Sequence, residues 1–295
     1  MRVSESNAVF ELVRRIEARS GTRIAAGLRA AVRVARVMPG MRERARIVLV
    51  GLALGTRRVR RPLAVYLRGP SGRHRFLLPD VAALRVLEEV FCNGEYAITL
   101  PQPPARVIDL GSNVGATILY FTWQFPGCEV VGVEPSPSLF KVLEANVGGL
   151  PNVRLVNAAV SASTEPVTFF EGLESWQGST MGSAWVDEEH AVTVAAVQLD
   201  DLIGEAGADL LKIDIEGGEF DVLPATTRLR DVVSVFGEIH ADPDDERTRA
   251  LLALFDGYDV TSTPPTPGAT LWRTMFSAVR DARALQPSAG ATQAP

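Results

Sequence analysis

Apolar and polar positions along this chain follow two different periods, and the changes from one to the other mark its elements. Residues 5–37 carry apolar side chains at helical spacing (Val9, Leu12, Val13, Ile16, then Ile24, Leu28, Ala31, Val32). That spacing predicts one or two amphipathic helices, stopped by Met38-Pro39-Gly40. Leu63 to Leu67 and Arg75 to Leu78 read as short strands around Gly69-Pro70-Ser71-Gly72, a hairpin. Asp80 caps a helical run from Ala82 to Phe91, and Pro101-Gln102-Pro103-Pro104 makes a stiff connector. Strands and helices then alternate: strand 106–110, helix 115–124, strand 129–134, helix 137–147, strand 153–156. After strands at 167–170 and 192–197 and a short helix at 199–203, alternation resumes with strand 209–214, helix 219–223, strand 232–238 and helix 244–254. Tyr258 to Thr261 and Thr270 to Phe276 read as a final strand pair. Such alternation predicts an α/β fold, a mostly parallel, doubly wound sheet with helices on both faces. The expected organisation is an N-terminal helical and hairpin extension over 1–80, an α/β domain over 81–280, and a small, polar, disordered tail over 281–295.

Composition changes this picture only in places. A hydrophobic fraction of 46% with 22% charged residues is ordinary for a soluble chain of 295 residues. Cys92 and Cys128 are the only cysteines, which argues for a reducing, cytoplasmic setting and against a disulfide framework or a structural zinc site. No secretory leader is expected, because arginines interrupt every apolar stretch of Met1 to Gly40, and Ile47 to Leu54 is far too short to span a bilayer. The net charge of −5 conceals an asymmetry: residues 1–75 hold 18 basic and 4 acidic residues, a balance of +14, leaving −19 for the rest. Such a basic arm suits peripheral contact with an anionic membrane or an acidic substrate, or else a solvated helical face packed on the catalytic domain.

Candidate chemistry concentrates between Arg106 and Asn146. An apolar strand ends in Gly111-Ser112-Asn113-Val114-Gly115, a helix follows, and a second apolar strand stops at Glu134. In an open parallel sheet such a turn lets a ligand approach the backbone, and an acid at the next strand tip can bond ribose hydroxyls. The Gly111-x-x-x-Gly115 spacing departs from the dinucleotide fingerprint. Asp109 before the turn and Glu134 after the second strand suit the ammonium and ribose of S-adenosylmethionine, which has no pyrophosphate to seat. Asn157, at the third strand's end, is placed either to donate to adenine or to bond its own backbone. A valine at Gly111 is expected to fill the methionine channel while sparing the fold.

Beyond this unit stand DLLKIDIEGGEFD (209–221) and VVSVFGEIH (232–240). Together with VIDLGSNVG (107–115), GVEPSP (132–137), NAAVS (157–161), VQLDDL (197–202) and FCNGEY (91–96), they resemble the FkbM family of S-adenosylmethionine-dependent methyltransferases. The resemblance covers about residues 88–240. Ser112 and Gly218 stand where that family usually has alanine. It implies a Rossmann-like class I methyltransferase fold with S-adenosylmethionine as cofactor, and a cofactor site of Asp109, Gly111, Ser112, Asn113, Gly115, Glu134, Pro135 and Asn157.

Asp214 and Glu216, and likewise Glu238 and His240, lie two apart at the ends of adjacent strands, so all four project toward one place. They are the candidate catalytic residues. His240 can act as a general base with an ordinary pKa near 6.5, the four can hold a hard divalent ion, or they form a structural ion-pair cluster with Lys212. No resident metal is assigned. Absence of an Asn/Asp-Pro-Pro-Tyr segment after the fourth strand, and of a cysteine at a core strand tip, leaves oxygen as the expected nucleophile. The expected acceptor is a small molecule or glycolipid, with a sugar or polyketide-type hydroxyl, and not nucleic acid. The alternatives are a nicotinamide-dependent oxidoreductase, which the missing third glycine and Tyr-x-x-x-Lys oppose, and a non-catalytic cofactor-binding protein. A long segment from Gly172 to His190, with Trp176, Gln177, Ser179, Thr180, Met181 and Trp185, suits either stacking on a ring substrate or pinning to the core.

Overall fold

The computed structural model describes residues 23–280 apart from 39, 57–58, 60, 99, 173–174, 176–177, 179–190, 243 and 264–273. The expectations for the first 22 residues, for Trp176, Trp185 and their polar neighbours, and for the tail lie outside the described residues.

Two helices come first, α1 (Arg23–Val37) and α2 (Met41–Gly55), followed by the hairpin β1 (Leu63–Gly69) and β2 (Gly72–Leu78). The second helix is absent from the sequence expectation, because arginines at 42, 44 and 46 run into an unbroken apolar stretch without a 3.6-residue period. Its glycine explains the packing. A Cβ on Gly27 would lie 2.6 Å from the Gly51 carbonyl oxygen, and one on Gly51 would lie 2.5 Å from that of Gly27, so the two backbones cross in direct contact. Ala31, Val34, Ile47, Val50 and Leu54 are buried in one cluster with Val65, Phe76, Val107, Ile118 and Phe121. The extension and the sheet therefore share a core.

Asp80 caps α3 (Val81–Glu88) by accepting from the Ala83 N–H at 2.8 Å, and the helix relaxes into a π turn over Glu89–Asn93. The α/β body comprises β3 (Arg106–Leu110), α4 (Ala116–Gln124), β4 (Glu129–Val133), α5 (Pro137–Val147) and β5 (Val153–Val156). Short strands β6 (Ala159–Val160), β7 (Val167–Phe170), β8 (Ala191–Val194) and β9 (Ala196–Val197) follow. The predicted strand 192–197 is thus two: β8 pairs antiparallel with β7, and β9 parallel with β6. Then come α6 (Leu199–Ile203), β10 (Ala208–Ile213), α7 (Glu219–Ala225), β11 (Val232–Ile239), α8 (Glu246–Leu252), β12 (Tyr258–Thr263) and β13 (Thr274–Arg280). The start of the last predicted strand, Thr270 to Arg273, lies outside the described residues.

Seven strands form the main sheet in the order β12-β13-β11-β10-β3-β4-β5, parallel except where β13 pairs with β11 and β12. The order reverses between β3 and β10, so the turn after β3 and the segment after β10 flank the switch point where such sheets bind ligands. That order, with the antiparallel β13 inserted beside β11, is the class I methyltransferase arrangement. Asn146 on α5 ties the hairpin to it: its side chain accepts from the Leu77 N–H at 2.7 Å and donates to the Leu77 and Val114 carbonyls at 3.1 and 2.8 Å. Among the described residues no helix is long and apolar enough to cross a membrane.

Candidate functional site

The carboxyl ends of β3, β4, β10 and β11 open on a cavity of about 520 Å³. Its walls include Gly111, Ser112, Asn113, Glu134 and Pro135 on one side and Asp214, Glu216, Glu238 and His240 on the other. Residues expected from separate motifs are therefore brought to one space, of a size that suits a nucleoside-sized ligand with room for a second molecule.

The turn after β3 owes its shape to backbone packing. Gly111 has φ +77°, and a Cβ there would lie 1.8 Å from the Asp214 carbonyl oxygen. This glycine lets β3 and β10 end side by side, so the expectation that valine would spare the fold is corrected. Gly115, φ +90°, faces Leu143 and Val147 instead of the cavity. Asn113 is left-handed too, φ 49°. Its side-chain nitrogen donates to the Ser175 carbonyl at 2.7 Å, while its buried Oδ1 has no hydrogen-bond partner among the described residues; Asn113 is part of the cavity wall. Ser175 in turn donates its N–H and hydroxyl to Asp80, at 2.8 and 2.9 Å.

Glu134 leaves the tip of β4 fully inside the protein. One carboxylate oxygen accepts from the Asn113 N–H and the other from the Ser136 N–H, each at 2.9 Å. Burial raises its pKa to about 7 against those two N–H groups and the charge of Lys212. Each oxygen keeps a lone pair for a donor in the cavity. Asn157 does not line the cavity: its amide nitrogen donates to the Glu134 and Pro135 carbonyls at 2.8 and 3.2 Å, the backbone-bonding alternative. Asp109 is also withdrawn, lying under the turn with no exposure. It accepts from the Thr117 hydroxyl at 2.5 Å and pairs with Lys212 at 3.2 Å. Lys212 donates to the Leu110 and Gly111 carbonyls at 3.0 and 2.8 Å, so Asp109 acts on the turn through this lysine. Burial disfavours the ammonium, but Asp109 and Asp214 outweigh it and hold the Lys212 pKa above its ordinary value.

At the opposite pole His240 is surrounded by acids. Its Nε2 lies 3.3 Å from Glu216, 3.8 Å from Asp214 and 4.0 Å from Glu238, and its Nδ1 lies 3.0 Å from Glu219. Glu219, at the start of α7, is fully buried and also accepts from the Ile215 N–H. Sequence reasoning missed this partner, although it closes the KIDIEGGE segment. Its signal is an acid at the first turn of a helix that follows the strand-end pair. Burial alone would lower the His240 pKa; the bond to Glu219 and the charges of Glu219, Glu216 and Asp214 override it and raise it to about 10. An imidazole so placed is a cation at neutral pH, so the expectation of a base titrating near its ordinary value is corrected. Burial lifts Glu216 to about 8, opposed by the charge of His240. Tyr96, packed edge-on against Phe236, lines the same pole, and burial followed by the charges of Asp214 and Glu238 holds its phenol well above its ordinary range.

These residues could hold the two ends of a methyl-donating nucleoside: carboxylate oxygens for ribose hydroxyls, an amide oxygen without a partner among the described residues for an ammonium, and an apolar wall of Val133, Leu139, Val160 and Phe169 for a base. A sequence profile of the Methyltransferase FkbM domain matches residues 109–280. The chain is 27% identical to the methyltransferase sdnD of Sordaria araneosa, the alignment covering 50% of this chain and 70% of that protein. It is 24% identical to the 2-O-methyltransferase NoeI of Sinorhizobium fredii, over 56% of this chain and 77% of that one. Against the AMB antimetabolite synthetase AmbE of Pseudomonas aeruginosa it is 29% identical over 58% of its own length but spans only 10% of that protein. Among solved structures, the FkbM methyltransferase of Methylobacillus flagellatus KT aligns with TM-score 0.42 and 14% identity, covering 86% of this chain and 59% of that chain.

Proposed function

Since this chain belongs to the FkbM methyltransferase family, and so is an S-adenosylmethionine-dependent methyltransferase, we propose that it methylates a hydroxyl of a sugar, glycolipid or polyketide-type acceptor. One observation carries the reading: the glycine turn with Glu134 and the cluster of Asp214, Glu216, Glu238 and His240 line one cavity from opposite sides. S-adenosylmethionine supplies an electrophilic sulfonium methyl and leaves as S-adenosylhomocysteine.

Glu134 accepts the ribose hydroxyls, Asn113 Oδ1 accepts from the ammonium, and the wall around Pro135 and Val160 holds the adenine. Asp214, Glu216, Glu238, His240 and the Tyr96 phenol then face the acceptor. A pole so rich in acceptors and carrying one cationic imidazole suits hydroxyl groups, which donate to the carboxylates and receive from the ring. Holding nucleophile and methyl in line supplies up to roughly 7–11 kcal/mol of the barrier. NoeI is a 2-O-methyltransferase, which supports an oxygen acceptor here. Peripheral membrane contact through the basic N-terminal arm would suit a glycolipid acceptor in the cytoplasm. The test is incubation with methyl-13C-labelled S-adenosylmethionine and a panel of sugars, glycolipids and polyketide alcohols. Carbon shifts of the product distinguish an O-methyl group from N-, S- or C-methyl, and labelling confined to amines or thiols defeats the reading.

A further inference from the structure

We propose that Asp214, Glu238 and His240 form a divalent-cation site, and that the acceptor binds through a hydroxyl placed on that cation; the second half rests on the O-methylation reading. One ligand atom from each of the three side chains can be chosen so that all lie within 4.8 Å of one another. Ions bound at ~2.0–2.5 Å hold their ligand atoms roughly 3–5 Å apart, so these side chains stand at the spacing of a shared ion. The separations of 3.8 and 4.0 Å from His240 Nε2 to Asp214 and Glu238 are too long for hydrogen bonds.

Two further observations point to a ligand at this place. His240 makes its hydrogen bond through Nδ1, to the buried Glu219, which turns Nε2 toward Glu216, Asp214 and Glu238 at 3.3, 3.8 and 4.0 Å. A carboxylate on one ring nitrogen with the other turned to the cavity is the arrangement that orients metal-binding histidines, and a bound ion takes the place of the proton that Nε2 carries in the empty protein. Tyr96 is the second. Its side chain is 7% exposed, and it lines the cavity that Asp214, Glu238 and His240 also line. A buried phenol on a wall shared with these carboxylates can donate to a ligand held between them.

Two carboxylates and an imidazole suit borderline or hard ions such as Mn2+, Mg2+ or Zn2+ and do not suit soft ions that seek thiolates. The cation acidifies the acceptor's hydroxyl. The oxygen's lone pair forms the new C–O bond, and the C–S bonding pair returns to sulfur as the sulfonium becomes a thioether. The hydroxyl proton passes to Glu216, the remaining carboxylate of the cluster, and from there to solvent.

The full chain, treated with EDTA and dialysed, is titrated with Mn2+ in the presence of S-adenosylhomocysteine, free Mn2+ being read by electron paramagnetic resonance. One Mn2+ per chain is expected. Glu238→Gln and Asp214→Asn should each weaken it by tenfold or more, with S-adenosylhomocysteine affinity retained as the check on folding. If Glu238→Gln does not fold, the comparison rests on Asp214→Asn, whose side chain is 27% exposed. Failure of the wild-type chain to bind Mn2+, Mg2+ or Zn2+ saturably, or binding that neither substitution weakens, overturns the site. Full hydroxyl methylation by the stripped protein also overturns it while leaving O-methylation intact. Saturable binding lost in the variants, with no hydroxyl methylated, upholds the site and defeats the O-methylation reading instead.

Discussion

Glu219 and His240 are joined at 3.0 Å, a fully buried carboxylate against the Nδ1 of a half-buried imidazole, and this contact decides which way the ring faces. With Nδ1 held, Nε2 is directed at Asp214, Glu216 and Glu238. Glu219→Ala should therefore lower kcat by ~10–100-fold, the usual effect of removing a partner that orients a site histidine, with cofactor affinity within about twofold of wild type. Glu219→Gln, which can still accept from the ring, should recover part of the loss. Steady-state kinetics with calorimetric titration of S-adenosylhomocysteine separates the two effects, and equal turnover in all three proteins would detach Glu219 from the reaction.

Glu134→Ala should weaken S-adenosylmethionine binding by roughly 1.5–3 kcal/mol, the worth of hydrogen bonds to a charged acceptor. Isothermal titration of the variant checks this, and unchanged affinity removes Glu134 from the cofactor site.

The same residue predicts a pH dependence. Its pKa is raised from 4.5 to about 7, so the stability it lends the empty protein is fully present below 4.5 and is lost as pH rises through about 7. Ribose hydroxyls donate to the ionised form, so binding pulls the pKa back down. Cofactor affinity should therefore climb between about pH 6 and 8 and level off above. Glu134→Gln should flatten that rise, and a wild-type profile identical to that of the variant would contradict it.

Gly111→Ala should destabilise the fold by at least ~2 kcal/mol, because φ is +77° and the new methyl would meet the Asp214 carbonyl oxygen at 1.8 Å. Gly218→Ala is the control: its nearest neighbour is the end of the Ile215 side chain at 3.2 Å, and its φ is −66°. Thermal denaturation should show a clear fall for the first and little for the second.

Removing residues 1–40 should take away the buried Leu28 and expose the core cluster that Ala31, Val34 and Met38 help to fill, and the truncated chain should melt early or aggregate. Leu28→Ala alone should cost ~2–5 kcal/mol. A truncated protein that melts like the full chain and loses only turnover would instead favour an arm that docks the acceptor.

Much of the α/β body can be read from sequence, because strand tips alternate faces with a period of two and the glycine turn punctuates the first crossover. Asp214, Glu238 and His240 follow from that period; Glu216 does not, since β10 ends at Ile213 and the φ of +52° at Glu216 shows that the chain has already turned. What sequence does not reveal is who meets whom across elements. Asp109 looks like a ligand contact in one dimension and becomes a partner of Lys212 once β3 and β10 pair, with Lys212 opposite Asp109 in the register. Glu219 stands 21 residues before His240 and meets it only because α7 begins beside the end of β11. Helix α2 stays hidden because its inner face is recognised by glycine contact with α1, which leaves no hydrophobic period to read.

Asn146 has a consequence in time as well as in space. The Leu77 amide it receives leaves the ribosome 69 residues earlier, roughly 3–14 s ahead at about 5–20 residues per second. Throughout that interval β2 exists without the side chain that fixes it to the body, and the peptide groups of Leu77 remain hydrated. The hairpin is thus locked only after part of the body that follows it exists, and its docking reports that the crossover from β3 through α5 has already been built.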